Sequence, residues 1–196
     1  MRISKEKAQE NRDQIVEAAA ALFRRHGFDG IGVADLMKAA GFTHGGFYNH
    51  FKSKDELAAA AANAAFKKLD EETGRIKSVD GIIRRYISRQ HRDEVATSCP
   101  AATLGGEAAH QNDDVKEIFA EGIENWISRL DKALGNDGRE VGRERRELAI
   151  ILLTQAVGAV VLSRAIPDAN KLADEILKVN LKESLRSSQR RAGKER

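Results

Sequence analysis

Apolar residues recur along this chain at the spacing of an amphipathic helix. In the first such segment Ile15, Ala19, Leu22 and Phe23 follow the i, i+4, i+7, i+8 pattern, and residues 115–130 repeat it. No run of alternating apolar and polar residues competes with this pattern. The chain contains only 2 prolines, and its commonest residues are helix formers. The sequence therefore predicts an all-α fold of about nine helices.

Composition and charge exclude several classes of protein. The single cysteine excludes an intramolecular disulfide framework and a cysteine-rich zinc site. Residues 1–7 lack the apolar core of a signal peptide, so we expect a cytoplasmic protein. The net charge of +3 is uneven: residues 1–60 carry +1, residues 61–181 carry −2 and residues 182–196 carry +4. We therefore expect a basic tail at 187–196, which is either a solvated chain end or an arm for nucleic acid.

Residues 148–163 are apolar almost all round the predicted helix. This run has 16 positions and includes Thr154, Gln155 and Ser163, whereas a membrane span needs roughly 20 apolar residues. We therefore expect no membrane partner. A core helix that also packs against a partner chain explains the run better.

Two short segments have the proportions of a helix-turn-helix motif. Residues 33–40 and 44–51 are predicted helices that meet at Gly41, and Thr43 is a suitable N-cap for the second. At 100° per residue, Phe47 and Phe51 fall on the buried side of that second helix. Its opposite face is exposed and polar. A capping box that begins at Ser53 predicts the start of the next helix.

The exposed face of the second helix has the chemistry to bind DNA. His44 and Asn49 are suited to base edges, and the backbone after Thr43 offers a helix-terminus anion site. For His50, a phosphate contact and a half-buried structural role are both open. The sequence thus predicts these DNA-binding residues: Thr43, His44, Gly45, Gly46, Tyr48, Asn49, His50, Lys52 and Lys54.

Over about residues 8–60, the chain resembles the TetR family of transcriptional regulators. Three stretches carry the resemblance: 12–19, 22–28 and 36–57. Two residues depart from the family pattern. Met37 stands where the family usually has a small alanine. Gly46 stands where Thr or Ser is common, which removes one hydroxyl contact.

The resemblance implies an all-helical homodimer that binds double-stranded DNA. Residues 1–52 would form the helix-turn-helix DNA-binding domain, and residues 53–186 the ligand-binding and dimerisation domain. The dimer would form through helices near 139–165 and 168–186. The family implies a repressor that binds a palindromic operator and is released from it by a small-molecule effector. In one version of this hypothesis the effector is thiol-reactive. It implies no cofactor.

The effector site is the least constrained part of the prediction. For each candidate residue, an ordinary place in the core is the alternative. Cys99 precedes Pro100 at a predicted helix N-terminus, where a thiol becomes more reactive; a buried filler is its alternative. The candidates are Phe66, Tyr86, Cys99, Phe119, Trp126 and Gln155.

Two other functions compete with a DNA-binding regulator. A helix-turn-helix can serve protein contacts only, although the exposed polar face argues against it. A small helical enzyme is the second rival. Residues 30–35 begin like a dinucleotide-binding loop but lack its third glycine and a preceding strand. His44 and His50 are six positions apart, which is not metal-ligand spacing on one helix face, so we expect neither an enzyme nor a metal site.

Overall fold

The computed structural model describes residues 4–136 and 143–189, and within them every regular element is a helix. This confirms the predicted all-α fold. Nine α-helices and one 3₁₀ helix are found among these residues. They are α1 (Lys5–His26), α2 (Val33–Ala39), the 3₁₀ helix (His44–Asn49), α3 (Lys54–Thr73), α4 (Val79–Tyr86), α5 (Arg89–Asp93), α6 (Pro100–Ala108), α7 (Asp113–Asn136), α8 (Arg143–Arg164) and α9 (Lys171–Gln189).

The chain divides into two compact units. The first comprises Met1–Leu69 and Val95–Glu121, and the second comprises Asp70–Glu94 and Gly122–Arg196. The division falls inside α3 and inside α7. Each unit therefore contains segments that are distant in the sequence.

The first unit is built on α1. Ser4 caps this helix, since its hydroxyl accepts a hydrogen bond from the Lys7 N–H at 3.1 Å. Three residues of the predicted apolar stripe are buried, namely Ile15, Ala19 and Phe23, each at most 1% exposed, whereas Leu22 is half-buried. Gly27 ends the helix with φ 80°, the left-handed region that glycine adopts without strain, as its position predicts.

The second helix of the predicted motif differs from expectation in its winding. Residues 44–51 were predicted to be α-helical, but the structure has a 3₁₀ helix over His44–Asn49. Two consecutive glycines, Gly45 and Gly46, disfavour an α-helix. The Gly46 N–H instead donates to the Thr43 carbonyl at 3.0 Å. Thr43 occupies the N-cap position, as predicted, but its side chain makes no capping hydrogen bond.

The second unit contains α8 and α9, which pack side by side. Their ends differ from the predicted ones: α9 extends to Gln189 and includes the first three residues of the predicted basic tail. The rest of that tail, 190–196, lies outside the described residues. Helix α5 was not predicted, because its five residues are too few to form an apolar stripe; Ser88 caps it by accepting from the His91 N–H at 3.1 Å.

Helix α8 is apolar on two sides. Leu152 and Val160 are at most 1% exposed, whereas Ile151 and Leu162 are 55% and 59% exposed. Of the described helices, only Glu144–Arg164 is long and apolar enough to cross a membrane by those criteria alone, and 39% of its most apolar stretch is buried. A core helix of a globular unit meets the same criteria.

Candidate nucleic-acid interface

The predicted DNA-binding residues lie together on one short segment of the first unit. Tyr48 is the most prominent of them, because 70% of its surface is exposed. Three members of the set are half-buried, namely Gly46, His50 and Lys54. The exposed members are Thr43, His44, Gly45, Tyr48, Asn49 and Lys52.

The 3₁₀ winding changes which of these residues share a face. In a 3₁₀ helix, residues three apart lie one above the other. Gly45 therefore lies in line with Tyr48, and Gly46 in line with Asn49, which differs from the arrangement predicted at 100° per residue. Tyr48 and Asn49 each follow a glycine on the same face of the helix. Because glycine has no Cβ atom, another molecule can approach the backbone closely at these two positions.

Aromatic rings pack together on the buried side of the 3₁₀ helix. Phe47 is 1% exposed, and its ring lies 5.7 Å from that of Phe51 and 5.2 Å from that of Tyr48. The His50 ring lies 6.3 Å from the ring of Phe42. The half-buried structural role that was one alternative for His50 agrees with this contact, and its phosphate contact stays a prediction.

Arg12 and Glu56 connect α1 to the residues that follow the 3₁₀ helix. The Arg12 Nη2 atom donates to Glu56 Oε1 at 2.9 Å, and its guanidinium carbon lies 4.3 Å from the centroid of the Phe51 ring. The other carboxylate oxygen of Glu56 accepts from the Lys52 N–H at 2.8 Å. This backbone hydrogen bond, followed by the pairing with Arg12, lowers the pKa of Glu56.

The predicted capping box is present in a modified form. Ser53 accepts from the Glu56 N–H at 3.1 Å, as predicted. The Glu56 carboxylate, however, accepts from the N–H of Lys52, one residue before the cap. Residues 52–56 are therefore fixed to the start of α3 and, through Arg12, to α1.

Gln14 fixes the other end of the motif. Its Nε2 atom donates to the Ala40 carbonyl at 2.9 Å, where α2 ends. The next residue, Gly41, has φ 83°, which a residue with a side chain rarely adopts. Gln14 was not predicted from the sequence, because its partner lies 26 positions away. The turn before the 3₁₀ helix is thus attached to α1.

The effector candidates are divided between the two units. In the first unit, the rings of Phe66 and Phe119 meet edge to face at 5.4 Å. Cys99 occupies the N-cap position of α6 in the same unit, as predicted, and is 1% exposed. In the second unit, the rings of Tyr86 and Trp126 lie 5.5 Å apart.

Gln155 takes part in the packing of α8 on α9. Its Nε2 atom donates to Asn180 Oδ1 at 3.2 Å, and Asn180 donates in turn to the Ile176 carbonyl at 2.9 Å. This amide pair gives Gln155 a structural role within the second unit. In residues 4–136 and 143–189, no group of three or more His, Cys, Asp or Glu side chains is arranged to hold a metal ion.

Two family models match the chain. The model of bacterial regulatory proteins of the tetR family matches residues 15–61. The model of the LmrA/YxaF-like transcriptional regulator C-terminal domain matches residues 76–175, which is more than half of the chain. The chain belongs to the TetR family.

Relatives and solved structures agree with this assignment. The TetR-family chain is 27% identical over 147 residues to the transcriptional repressor DhaR of Mycobacterium sp. (strain GP1), covering 72% of this chain and 74% of that protein. It is similar in fold to a TetR transcriptional regulator from Chloroflexus aurantiacus, with TM-score 0.76, 27% identity, and 95% and 98% of the two chains covered.

A second similar structure is that of AibR in complex with isovaleryl coenzyme A and operator DNA. Its TM-score is 0.60 at 18% identity, with 88% of this chain and 97% of that chain covered, so it shows the fold alone. Membership of the TetR family confirms the prediction of a DNA-binding transcriptional regulator that is not an enzyme. Regulators of this family bind operator DNA and small-molecule effectors.

Proposed function

We propose that this TetR-family regulator is a cytoplasmic repressor that binds a palindromic operator as a homodimer and leaves it when a small-molecule effector binds. One observation carries the DNA-binding part. The exposed face of the 3₁₀ helix is attached to α1 on both sides, through Gln14 before it and Arg12 after it. A short helix held in this way presents its side chains in a fixed orientation, as recognition of a duplex requires.

The residues of this face would contact different parts of the duplex according to their chemistry. His44 and Asn49 would contact base edges. Tyr48, Lys52 and Lys54 would contact phosphates, with His50 and the backbone after Thr43 adding to the anion site. Gly45 and Gly46 would let the backbone approach the duplex.

Homodimer formation is supported by the apolar surface of α8 and α9. Ile151, Leu162 and Val179 are 55%, 59% and 57% exposed, respectively. Two further residues extend this surface, Val161 on α8 and Leu172 on α9, at 41% and 47% exposed. A two-fold contact through the same patch on both chains would bury it, in agreement with a dimer formed near 139–165 and 168–186. The two reading faces would then meet successive major grooves, roughly 34–36 Å apart.

The effector would act through the domain that we place at 53–186, which follows the DNA-binding domain at 1–52. The aromatic pairs Phe66–Phe119 and Tyr86–Trp126 are the proposed apolar contacts, with Gln155 as a polar one. A thiol-reactive effector would act on Cys99. Because that thiol is 1% exposed, such an effector requires α6 to move away from its N-cap residue. If Cys99 is the effector site, its thiol should therefore be modified slowly in the effector-free protein.

The test begins with selection of duplexes from a random pool by the full-length protein, followed by anisotropy titrations of the selected duplex. We expect the affinity to fall steeply with salt, because phosphate contacts release counterions. The double variant Tyr48→Phe, Lys54→Ala should bind about 10-fold more weakly. Lys132→Ala, which removes an exposed lysine from α7 outside the helix-turn-helix motif, is the matched control and should bind as the unmodified protein does.

The competing interpretation is a helix-turn-helix that serves protein contacts only. It predicts that selection enriches no duplex and that residual DNA binding does not depend on sequence. The same double variant would then leave DNA binding unchanged. Either result would overturn the assignment of this face to an operator.

A further inference from the structure

Trp126, one of the predicted effector candidates, and Arg129, which was not predicted, form a largely buried polar site on α7. The two residues are three positions apart and therefore lie on the same face of the helix. The guanidinium carbon of Arg129 lies 5.3 Å from the centroid of the Trp126 ring. Trp126 is 2% exposed, and the side chain of Arg129 is 16% exposed. Both residues belong to the second unit.

Hydrogen bonding satisfies only part of this site. The Arg129 Nη1 atom donates to the Asp70 carbonyl at 3.5 Å and to the Thr73 hydroxyl. Within the described part of the chain, Arg129 Nη2 and Trp126 Nε1 are buried donors that no acceptor reaches. An unsatisfied buried donor is costly, and a charged one more so. Two such donors on one helix face indicate that something else accepts from them.

The charge of Arg129 is also poorly compensated. The Asp70 carboxylate stays 4.0 Å from Nη1, which is too long for a hydrogen bond. Burial is the larger cause for both groups and lowers the pKa of Arg129 and raises that of Asp70, while the attraction between the two charges opposes each shift. A second anion would be attracted to the guanidinium.

We propose that Arg129 Nη2 and Trp126 Nε1 bind the carboxylate of a small amphipathic organic acid. A guanidinium presents a planar fork that fits a carboxylate, and an ionised acceptor makes a stronger hydrogen bond than a neutral one. The Tyr86 ring, 5.5 Å from the indole, supplies an apolar surface for the rest of the molecule. The assignment rests on the proposed effector-responsive function and specifies the chemical class of the effector.

The chain contains a single tryptophan, so its intrinsic fluorescence reports on this site directly. We would titrate the full-length protein with hexanoate, octanoate and phenylacetate, and in parallel with hexanamide, octanamide and phenylacetamide. The acids should change Trp126 emission in a saturable way and bind at least about 10-fold more tightly than the matched amides. Equal binding of acids and amides, or no response to any acid, would overturn the proposal; a site filled by water alone predicts the latter.

Variants of Arg129 test the residue assignment. Arg129→Gln should weaken binding of the acids about 10-fold and remove their preference over the amides. Lys132→Gln removes one exposed positive charge from the same helix and should bind the acids as the unmodified protein does. If Arg129→Gln does not fold, Arg129→Lys provides the test. Because lysine keeps the positive charge but lacks the planar fork, this variant should bind the acids more weakly and still prefer them over the amides. Unchanged affinity in a folded Arg129 variant would overturn the assignment.

The operator titration distinguishes the repressor proposal from the carboxylate-site proposal. Tight, salt-dependent operator binding without a response to the acids would leave the repressor proposal intact and remove this site. Saturable binding of the acids by a protein that selects no duplex would support the site and remove the repressor.

Discussion

Glu107 of α6 accepts a hydrogen bond from the backbone N–H of Phe28 at 2.7 Å. This contact joins α6 to the residue that follows the last turn of α1. Arg24 makes a second connection nearby, since its Nη1 atom donates to the Ser98 carbonyl at 3.2 Å. Both contacts lie within the first unit. The end of α1 is thus linked by polar groups to both ends of α6. A movement of α6 would therefore displace the helix to which the proposed DNA-binding segment is attached.

Glu107→Ala should destabilise the protein by about 1–3 kcal/mol, because Phe28 is 1% exposed and its N–H would lose its acceptor. Urea unfolding followed by circular dichroism measures this change. Glu121→Ala, an exposed carboxylate on α7, is the control and should stay within about 0.5 kcal/mol of the unmodified protein. Equal stabilities for the two variants would show that the Glu107 contact does not stabilise the fold.

The Gly27→Ala substitution should lower the free energy of unfolding by about 2 kcal/mol or more, because the added Cβ atom has two separate effects. Gly27 has φ 80°, which costs an alanine about 1–2 kcal/mol. An added Cβ would also lie 2.4 Å from Glu107 Oε1, so the carboxylate must move. The double variant with Glu107→Ala isolates the second effect, since the φ cost remains when the carboxylate is gone. Additive losses in this cycle would mean that the clash contributes nothing.

Glu56→Ala should weaken operator binding about 5-fold, because it releases both Arg12 and the Lys52 N–H from the residues after the 3₁₀ helix. Asp55→Ala removes an exposed carboxylate one position away and is the control for charge. Removing a negative charge near DNA should by itself strengthen binding. A tighter complex for both variants would therefore show that the orienting role of Glu56 is absent.

The helix-turn-helix segment was largely predictable because its determinants are local. Gly41, Phe47 and Phe51 are close in the sequence, and their spacing alone predicts a turn followed by a buried face. The winding of the second helix was not predictable in this way. It depends on Gly45 and Gly46 together with the anchors to α1, and the partners of those anchors lie far along the chain.

The region proposed to bind the effector was the least predictable part for the same reason. Arg129 interacts with Asp70 and Thr73, which are 59 and 56 positions away. Nothing in the neighbourhood of Arg129 in the sequence separates it from an ordinary surface arginine. The aromatic residues were correctly recognised as apolar, but the pairs they form are set by tertiary packing. A buried donor without an acceptor can be recognised only from coordinates.

Leu162→Glu should convert the proposed homodimer into monomers. In a two-fold interface each substitution occurs twice, and burying an unpaired carboxylate there costs about 3 kcal/mol or more. Sedimentation velocity measures the change, and operator affinity should fall with it. Lys132→Glu introduces a carboxylate on the exposed side of α7 and should remain dimeric. A dimeric Leu162→Glu protein would place the interface elsewhere.

Stability should fall as the pH drops from about 6.5 to about 4, because of His91. Burial is the main cause that lowers the pKa of His91 from 6.5 to about 4, with Arg164 and Arg85 adding to the effect and Glu94 opposing it. Its Nδ1–H donates to the Tyr86 carbonyl at 2.8 Å, which opposes the shift as well.

The sign follows from proton binding. Between these pH values the unfolded chain binds a proton at His91 and the folded chain does not, so lowering the pH favours unfolding, by up to about 3 kcal/mol. Above pH 6.5 this contribution is constant. Urea unfolding at several pH values gives the slope. His91→Gln should flatten it in this window, whereas His110→Gln, at an exposed site, should keep it. An identical slope in the His91 variant would assign the acid sensitivity to the carboxylates instead.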